Sequence, residues 1–247
     1  MAAPPSSAIA GAAVAAQALS GVLSDLARTL PVPTVTAQAA VATARRIDRT
    51  RAPRIVTLTD VATIGADLVG ALQRLARDAG PADASAGLYI AAAATRGCAP
   101  VSASPALTQA YALARALCVG LEAAALGEAF LAEARTDFAD RQSATAARAR
   151  IGAAMDGAAD RISAALGQVA LEILGTAARQ TSAFLVAEAA TLRPIARVMT
   201  ARSLPSTALG WGLYRDPARA TDLVARNRCG TPFHMPTVLE ALTPDGR

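Results

Sequence analysis

The stretch that decides the fold is DVATIGADLVGALQRLA, residues 60–76. Its large apolar residues recur every three or four positions, which is the period of an amphipathic α-helix. They are Val61, Ile64, Leu68, Leu72 and Leu75. Asp60 is a suitable N-cap, and Gly80 with Pro81 ends the pattern. We therefore predict a helix from Asp60 towards Gly80, with one apolar face that other helices must cover.

Helical patterns continue on both sides of this stretch. Further helices are predicted over 6–30, 34–50 and 83–95, and a long one from Ser104 towards Phe138. Residues 140–157 read as a solvated helix, after which Ile162, Leu166, Val169 and Ile173 resume the helical period. Residues 55–58 fit either a short strand or an extended lead-in to the helix that begins near Asp60. With no alternating pattern of any length before Pro194, residues 1–195 are predicted to form an Ala-rich helical array.

The composition excludes several kinds of chemistry. The 247 residues include 66 alanines and 24 arginines but no lysine, and the net charge is +5. A Walker A loop and Schiff-base catalysis both need lysine. One histidine, His234, and three cysteines leave no usual four-ligand zinc site. Glu122, Glu128 and Glu133 lack the Glu-x-x-His partner of a di-metal bundle. We expect no cofactor, no metal and no enzymatic activity.

The cysteines and the N-terminus suggest a compartment. Cys98, Cys118 and Cys229 are scattered and odd in number, which favours reduced thiols inside a cell. No arginine precedes Arg28, so the basic start of a secretory signal is missing. Residues 8–23 are apolar but read as too weak and too short for a membrane span. Ala-rich helices bury little area per residue, so we expect a soluble chain that needs partner subunits.

The composition changes after Pro194, and residues 196–247 are predicted to form a separate small module. Alanine becomes sparse, whereas aromatic residues and prolines accumulate. The pattern predicts the order strand, helix, helix, loop, strand, with strands over 197–200 and 237–242. Asp216 caps the second helix, and Asp222 and Arg226 form an exposed pair. Asn227 falls at the helix end, where its residue type tolerates the left-handed conformation. The predicted core is Leu213, Tyr214, Leu223, Phe233 and Leu239.

Short segments of this module carry a family resemblance. They are RSLP at 202–205, LYRD at 213–216, Arg219-Ala220, Arg226-Asn227, PFHMP at 232–236 and LEAL at 239–242. These segments resemble the C-terminal end of the Mu-like phage DNA circularization protein family of contractile-tail phages and their prophages. They are also similar to a LysM-like fold, in which Arg215 stands where glycine is usual.

The resemblance implies a structural virion protein of the tail baseplate, near the hub or wedge. Such a protein joins neighbouring hub, wedge or tube subunits, in several copies per particle, and occupies the host cytoplasm only during assembly. We expect Trp211 to be an interface anchor. The other interface candidates are Arg219, Arg226, Phe233 and His234.

Three alternative functions are weighed against this one. His234 with Ser203 or Ser206 and Asp216 has the residue types of a hydrolase triad, but no nucleophile elbow surrounds either serine. A LysM-like module can bind peptidoglycan glycans. Arginines in and beside the second helix can contact phosphates, as in a DNA-binding or circularization protein, although no aromatic residue interleaves with them. These arginines are Arg45, Arg46, Arg49, Arg51 and Arg54.

Overall fold

The computed structural model describes residues 5–244. Its helices and strands are α1 (Ser6–Thr29), α2 (Thr34–Arg46), α3 (Leu58–Asp78), α4 (Pro81–Thr95), α5 (Pro105–Ala110), α6 (Ala112–Ala134), α7 (Arg141–Leu166), α8 (Gln168–Thr191), β1 (Ile195–Met199), α9 (Ser206–Tyr214), α10 (Ala220–Arg226) and β2 (Val238–Leu242). The described chain is therefore mainly α-helical with a small α+β part near its C-terminus, which confirms the predicted fold class.

The chain divides into two compact units, which we call the helical unit and the C-terminal unit. The helical unit comprises the chain up to Thr136 together with Arg148–Phe184. The C-terminal unit comprises Asp137–Ala147 and the chain from Leu185 onward. The C-terminal unit thus holds the predicted module and also the first turns of α7 and the last turns of α8.

Helix α1 lies in the core of the helical unit. Its buried face is built from alanines and leucines, and it packs against α2, α3, α4 and α6. Glycines set the closest approaches. A Cβ atom on Gly11 would lie 2.6 Å from Cδ1 of Tyr111, and one on Gly87 would lie 2.7 Å from Cδ2 of Leu30. Gly11 and Gly87 therefore leave room for the side chains of Tyr111 and Leu30 to pack directly on the backbone.

The same helix extends beyond residues 8–23, the stretch that is predicted to be too weak and too short for a membrane span. Helix α1 has 24 residues, and it is the one helix of residues 5–244 that is long and apolar enough to cross a bilayer. Within its 18-residue apolar window, 44% of the residues are buried inside the protein. These buried residues pack against neighbouring helices of the helical unit.

Helix α3 has a different N-cap from the predicted one. The hydroxyl of Thr57 accepts a hydrogen bond from the amide of Asp60 at 3.2 Å, and the Asp60 carboxylate accepts one from the Thr57 amide at 2.8 Å. This reciprocal pair is a capping box, in which Asp60 is the third helical residue. Its hydrogen bonds from the amides of Val56 and Thr57 hold the pKa of Asp60 below its usual value.

Two predicted helices near α3 differ from the observed ones in where they end or are interrupted. The predicted helix over 34–50 changes pitch after Arg46 and continues as the π-helical turn Ile47–Arg51. Residues 55–57 form the lead-in to α3. The long helix predicted from Ser104 is interrupted at Tyr111, whose ψ of 7° separates α5 from α6.

Gly167 separates α7 from α8 and interrupts the helical period predicted from Ile162 to Ile173. Its φ of 87° lies in the left-handed region that favours glycine, so the chain turns there instead of continuing as one helix. Val169 and Ile173 are consequently 70% and 68% exposed, whereas Ile162 is fully buried. The helical period predicted across Ile162, Leu166, Val169 and Ile173 is therefore interrupted, because the helical phase is reset at Gly167.

Two buried glutamates of α6 join it to α7 by paired hydrogen bonds. The Glu122 carboxylate accepts from Nε and Nη2 of Arg161 at 3.2 and 2.6 Å. The Glu133 carboxylate accepts from Nε and Nη2 of Arg150 at 3.0 and 3.1 Å. Both glutamates are 1% exposed. Arg150 and Arg161 are eleven residues apart, as are the two glutamates, so the two pairs match an antiparallel helix register three turns long.

Helix α4 has the same eleven-residue spacing. Ser85 donates its hydroxyl to Oε1 of Glu133 at 2.8 Å, and Nε of Arg96 donates to Oε1 of Glu122 at 2.9 Å. Each glutamate therefore joins three helices, with α4 and α7 both antiparallel to α6. We call these six residues the two polar layers of the helical unit. Because each layer joins matched positions of neighbouring helices, we expect the layers to favour one register among helices that alanine alone specifies poorly.

Candidate functional site

The C-terminal unit forms a β-α-α-β module around a small apolar core. Strands β1 and β2 are antiparallel, with Ile195 opposite Leu242 and Met199 opposite Val238. The buried core residues are Leu209, Leu223, Met235, Leu239 and Ala241. Leu213 and Tyr214 pack against this cluster while staying half-buried. The predicted positions of Leu223 and Leu239 in the core are confirmed.

Phe233 is not part of that core. It is 69% exposed, whereas Met235, two residues later, is 1% exposed. Three hydrogen bonds fix this arrangement: the Ser206 amide to the Pro232 carbonyl, the Met235 amide to the Leu204 carbonyl, and the Ser203 hydroxyl to the Met235 carbonyl. They hold the loop so that Met235 points inward. The sequence prediction chose the aromatic residue over the methionine and was wrong.

Side-chain amides cover both outer edges of the two-stranded sheet. Oε1 of Gln142 accepts from the Ile195 amide at 2.8 Å, and its Nε2 donates to the Ile195 carbonyl at 3.0 Å. On the other edge, Oδ1 of Asn227 accepts from the Glu240 amide at 2.8 Å, and Nδ2 donates to the Glu240 carbonyl at 2.9 Å. Both edges therefore lose backbone groups that could pair with another strand.

Asn227 binds the backbone of Glu240 and does not adopt the left-handed conformation considered for the helix end. Its φ of −88° is not left-handed; the left-handed residue is Arg228, with φ of 50°. A second left-handed residue, Arg215, ends α9 with φ of 58°. Arg215 is the position at which the LysM-like pattern usually has glycine.

Arg226 is held inside the unit. Its Nη1 donates to Oδ2 of Asp140 at 2.9 Å and its Nη2 to Oδ1 of Asp222 at 3.4 Å. The Arg226 side chain is 10% exposed, so the prediction of an exposed Asp222–Arg226 pair is wrong. Burial raises the pKa of Asp140, but the Ser143 amide and the Arg226 guanidinium outweigh it and hold that pKa below the usual value. Arg226 thus ties α10 to the start of α7.

The remaining interface candidates lie at the surface. Trp211 is 55% exposed, and His234 is exposed beside Phe233. Arg219 is half-buried, with its guanidinium carbon 5.8 Å from the centre of the Tyr214 ring, a cation–π geometry. Met199, which the sequence prediction did not name, is 78% exposed. Val238 is 37% exposed, so four large apolar side chains of this module are open to solvent. Where such side chains form one contiguous patch they mark protein-binding surfaces.

Two residues of the hydrolase triad considered from the sequence, Ser203 and Asp216, make structural hydrogen bonds. The Ser203 hydroxyl donates to the Met235 carbonyl, and Oδ1 of Asp216 caps the Ala218 amide at 2.9 Å. Ser206 is buried. Across residues 5–244, no group of three or more His, Cys, Asp or Glu side chains is placed to hold a metal ion.

The arginine cluster in the helical unit divides into two groups. Arg46 and Arg51 both contact the Asp67 carboxylate. Arg45, Arg49 and Arg54 are exposed, and none has a carboxylate oxygen of the described residues within 4.0 Å. The first group is partly neutralised, so three arginines of the cluster are available to an external anion.

Sequence reasoning missed the arginines of the polar layers. Arg150 lies in a segment predicted to be a solvated helix, yet it contacts a buried glutamate. The available signal was the matched eleven-residue spacing of Glu122 with Glu133 and of Arg150 with Arg161.

No protein-family model matches this chain, and no curated protein matches it significantly.

Proposed function

We propose that this chain is a non-enzymatic structural component of the baseplate of a contractile phage tail, in the hub or wedge region. Its helical unit and its C-terminal module each contact neighbouring subunits of the tail. The module acts as a clip that attaches to an adjacent protein.

The observation that carries the proposal is the module's surface. The module buries its core in a β-α-α-β arrangement and leaves Trp211, Phe233 and Met199 exposed. Tryptophan and other large apolar side chains are enriched among residues that dominate protein–protein binding. Gln142 and Asn227 each occupy the backbone groups of one residue on an edge of the sheet, which favours attachment through side chains over strand addition. The sequence resemblance of this module to a baseplate family supports the same role.

Fractionation of tail particles tests this proposal. Tails are purified from a lysate that produces this chain, and their proteins are quantified by mass spectrometry against a known baseplate protein. We expect the chain in intact tails at a fixed ratio to that marker, through every purification step. A chain that stays free in the lysate while the marker enters tails would defeat the proposal.

A second candidate function is DNA binding, and the exposed arginines favour it. Arg45, Arg49 and Arg54 project from one segment without a neighbouring carboxylate among the described residues. Each phosphate contact releases counterions, so binding through this cluster weakens steeply as salt rises.

Fluorescence anisotropy with labelled duplex DNA over a salt series tests DNA binding. The triple variant Arg45→Gln, Arg49→Gln, Arg54→Gln should lower the log–log salt slope by about 3 if all three contact phosphates. The matched control replaces Arg74, Arg77 and Arg148 by Gln, which removes the same charge elsewhere on the surface. An equal loss of DNA affinity and of salt slope in both triple variants would exclude a specific role of the cluster. The absence of DNA binding at low salt would exclude it as well.

A further inference from the structure

The helical unit contains a cleft that the proposed function does not use. It has a volume of about 530 Å³ and lies between the end of α4, the junction of α5 with α6, and α7. Clefts of this volume are typical of small-molecule sites. One polar layer of the helical unit, the one around Glu122, forms its inner end.

Positive charge exceeds negative charge in this cleft. Its charged lining residues are three arginines, Arg96, Arg115 and Arg161, and one glutamate, Glu122. The carboxylate of Glu122 is occupied by Nε of Arg96 and by Nε and Nη2 of Arg161. The Cys118 thiol also lines the cleft, and burial raises its pKa to about 12, so it adds no negative charge near neutral pH. The lining therefore carries a net charge of +2.

The arginines keep hydrogen-bond donors for a further acceptor. Neither Nη1 nor Nη2 of Arg96 has an acceptor among the described residues, and Arg161 keeps Nη1. Arg115 donates from Nη1 to the Thr108 carbonyl at 2.6 Å and contacts no carboxylate of the described chain. The Arg96 and Arg161 side chains are 44% and 38% exposed, so an incoming ligand reaches them from solvent.

The lining of the cleft also includes apolar side chains, which we call the apolar wall. It consists of Pro100 and Val101 from the loop after α4, Val119 from α6, and Ala164 and Ala165 from α7. Val101 is 96% exposed, so its side chain lies open to solvent at the edge of the cleft. A ligand that fits has a compact anionic head and an apolar body.

We propose that this cleft binds a phosphate monoester with a small apolar or aromatic substituent. A phosphate monoester is a dianion above pH 7, which matches the net charge of the lining, and guanidinium groups bind its oxygens in the paired geometry they use for carboxylates. The substituent packs on the apolar wall. This inference is independent of the role in a phage tail.

Isothermal titration calorimetry of the full-length chain at pH 8 and low ionic strength tests this proposal. The probes are phenyl phosphate, inorganic phosphate and phenol. We expect phenyl phosphate to bind more tightly than inorganic phosphate, because only the ester contacts the wall, and we expect no binding of phenol. No binding of phenyl phosphate at millimolar concentration would overturn the proposal, and equal affinity for phenyl phosphate and inorganic phosphate would exclude the ester.

Two single variants locate the site. Arg115→Gln removes a charged donor that contacts only the Thr108 carbonyl, so the polar layer stays intact, and we expect phenyl phosphate to bind about tenfold more weakly. Arg148→Gln removes an equal charge from an exposed position outside the cleft lining, and we expect less than a twofold change. Equal weakening by both variants would show that only net charge attracts the ligand and would overturn the assignment to this cleft.

Discussion

The helical unit and the C-terminal unit both contain paired polar contacts between side chains, but the C-terminal unit also has paired contacts from side chains to strand backbone. In the helical unit the contacts join side chains, as with Glu122 and Arg161. In the C-terminal unit Arg226 also binds two carboxylates, but other paired contacts join a side-chain amide to backbone, as with Asn227 and Glu240. A helix satisfies its own backbone groups, whereas each strand of a two-stranded sheet leaves one edge unpaired. The type of secondary structure thus decides whether backbone groups remain free to make these paired contacts or whether only side chains can make them.

The largest expected effect separates the apolar cores of the two units. Leu223 is fully buried at the centre of the module, so Leu223→Asp should cost about 4 kcal/mol or more of unfolding free energy. The single tryptophan, Trp211, lies in the module, so its fluorescence reports on that unit. We expect loss of the native Trp211 emission while most of the helical far-ultraviolet signal persists.

Phe233→Asp is the matched control for that variant, because it places the same charge at an exposed site of the same module. We expect its unfolding free energy to stay within about 0.5 kcal/mol of wild type. Similar destabilisation by the two variants would mean that the assignment of the module core is wrong.

The second prediction compares the two polar layers. Arg150→Ala leaves the buried Glu133 carboxylate with Ser85, a neutral donor, whereas Arg161→Ala leaves Glu122 with the Arg96 cation. We expect a loss of about 3 kcal/mol for Arg150→Ala and about half of that for Arg161→Ala, since an uncompensated buried charge is the main cost. Urea unfolding followed by circular dichroism measures both. Equal losses would contradict the account of the layers.

A third prediction tests close packing in the C-terminal unit. A Cβ atom on Gly210 would lie 3.0 Å from the Asp216 carbonyl oxygen, whereas one on Gly212 meets nothing within 4 Å. Both glycines belong to α9. Gly210→Ala should therefore cost about 1–3 kcal/mol, while Gly212→Ala should stabilise the helix by up to about 1 kcal/mol. Thermal melts followed by Trp211 fluorescence give both values, and effects of the same sign would refute this packing.

The contact between Asp140 and Arg226 predicts a pH dependence. The folded-state pKa of Asp140 lies below its usual value, so its contribution to stability is present above about pH 4 and is lost as the pH falls through the folded pKa. At pH 7, Asp140→Asn should lower the unfolding free energy by about 1–2 kcal/mol. In acid the difference from wild type should shrink. A difference that does not change with pH would show that the carboxylate charge has no part in it.

The smallest effect concerns the end of α9. Arg215 adopts φ of 58°, which costs a residue with a Cβ atom about 1 kcal/mol. Arg215→Gly should therefore raise the stability of the module by about that amount, as measured by chemical unfolding. Arg202→Gly, at an exposed position outside a helix or strand, is the control and should not stabilise. A destabilised Arg215→Gly variant would show that the arginine side chain contributes more than its backbone costs.

The sequence predicts the periodic parts of the molecule best. The apolar spacing from Val61 to Leu75 determines one face of α3 directly, and the strand–helix–helix–strand order of the module follows from its turns. The sequence predictions fail where a single residue changes the helical phase or the position at which a helix begins. Gly167 changes the helical phase of α8, and Asp60 fits an N-cap and a capping box equally well in the sequence.

The site residues are harder to predict because they depend on long-range contacts. Nothing local in the sequence distinguishes Phe233 from Met235 as the buried side chain; hydrogen bonds from Ser203 and Ser206 decide it. Arg226 has a local partner in Asp222, but its closer partner is Asp140, 86 positions away. Charge patterning along one helix does not reveal such a contact.

Incorporation of a surface variant into tails tests the central claim most directly. The double variant Trp211→Asp, Phe233→Asp changes the exposed apolar side chains and leaves the module core in place. Its fold is checked by circular dichroism, and its amount in purified tails is measured by mass spectrometry against a baseplate marker. We expect a folded protein that is depleted from tails at least tenfold. A folded variant present at the wild-type ratio would contradict the role of this module as the clip.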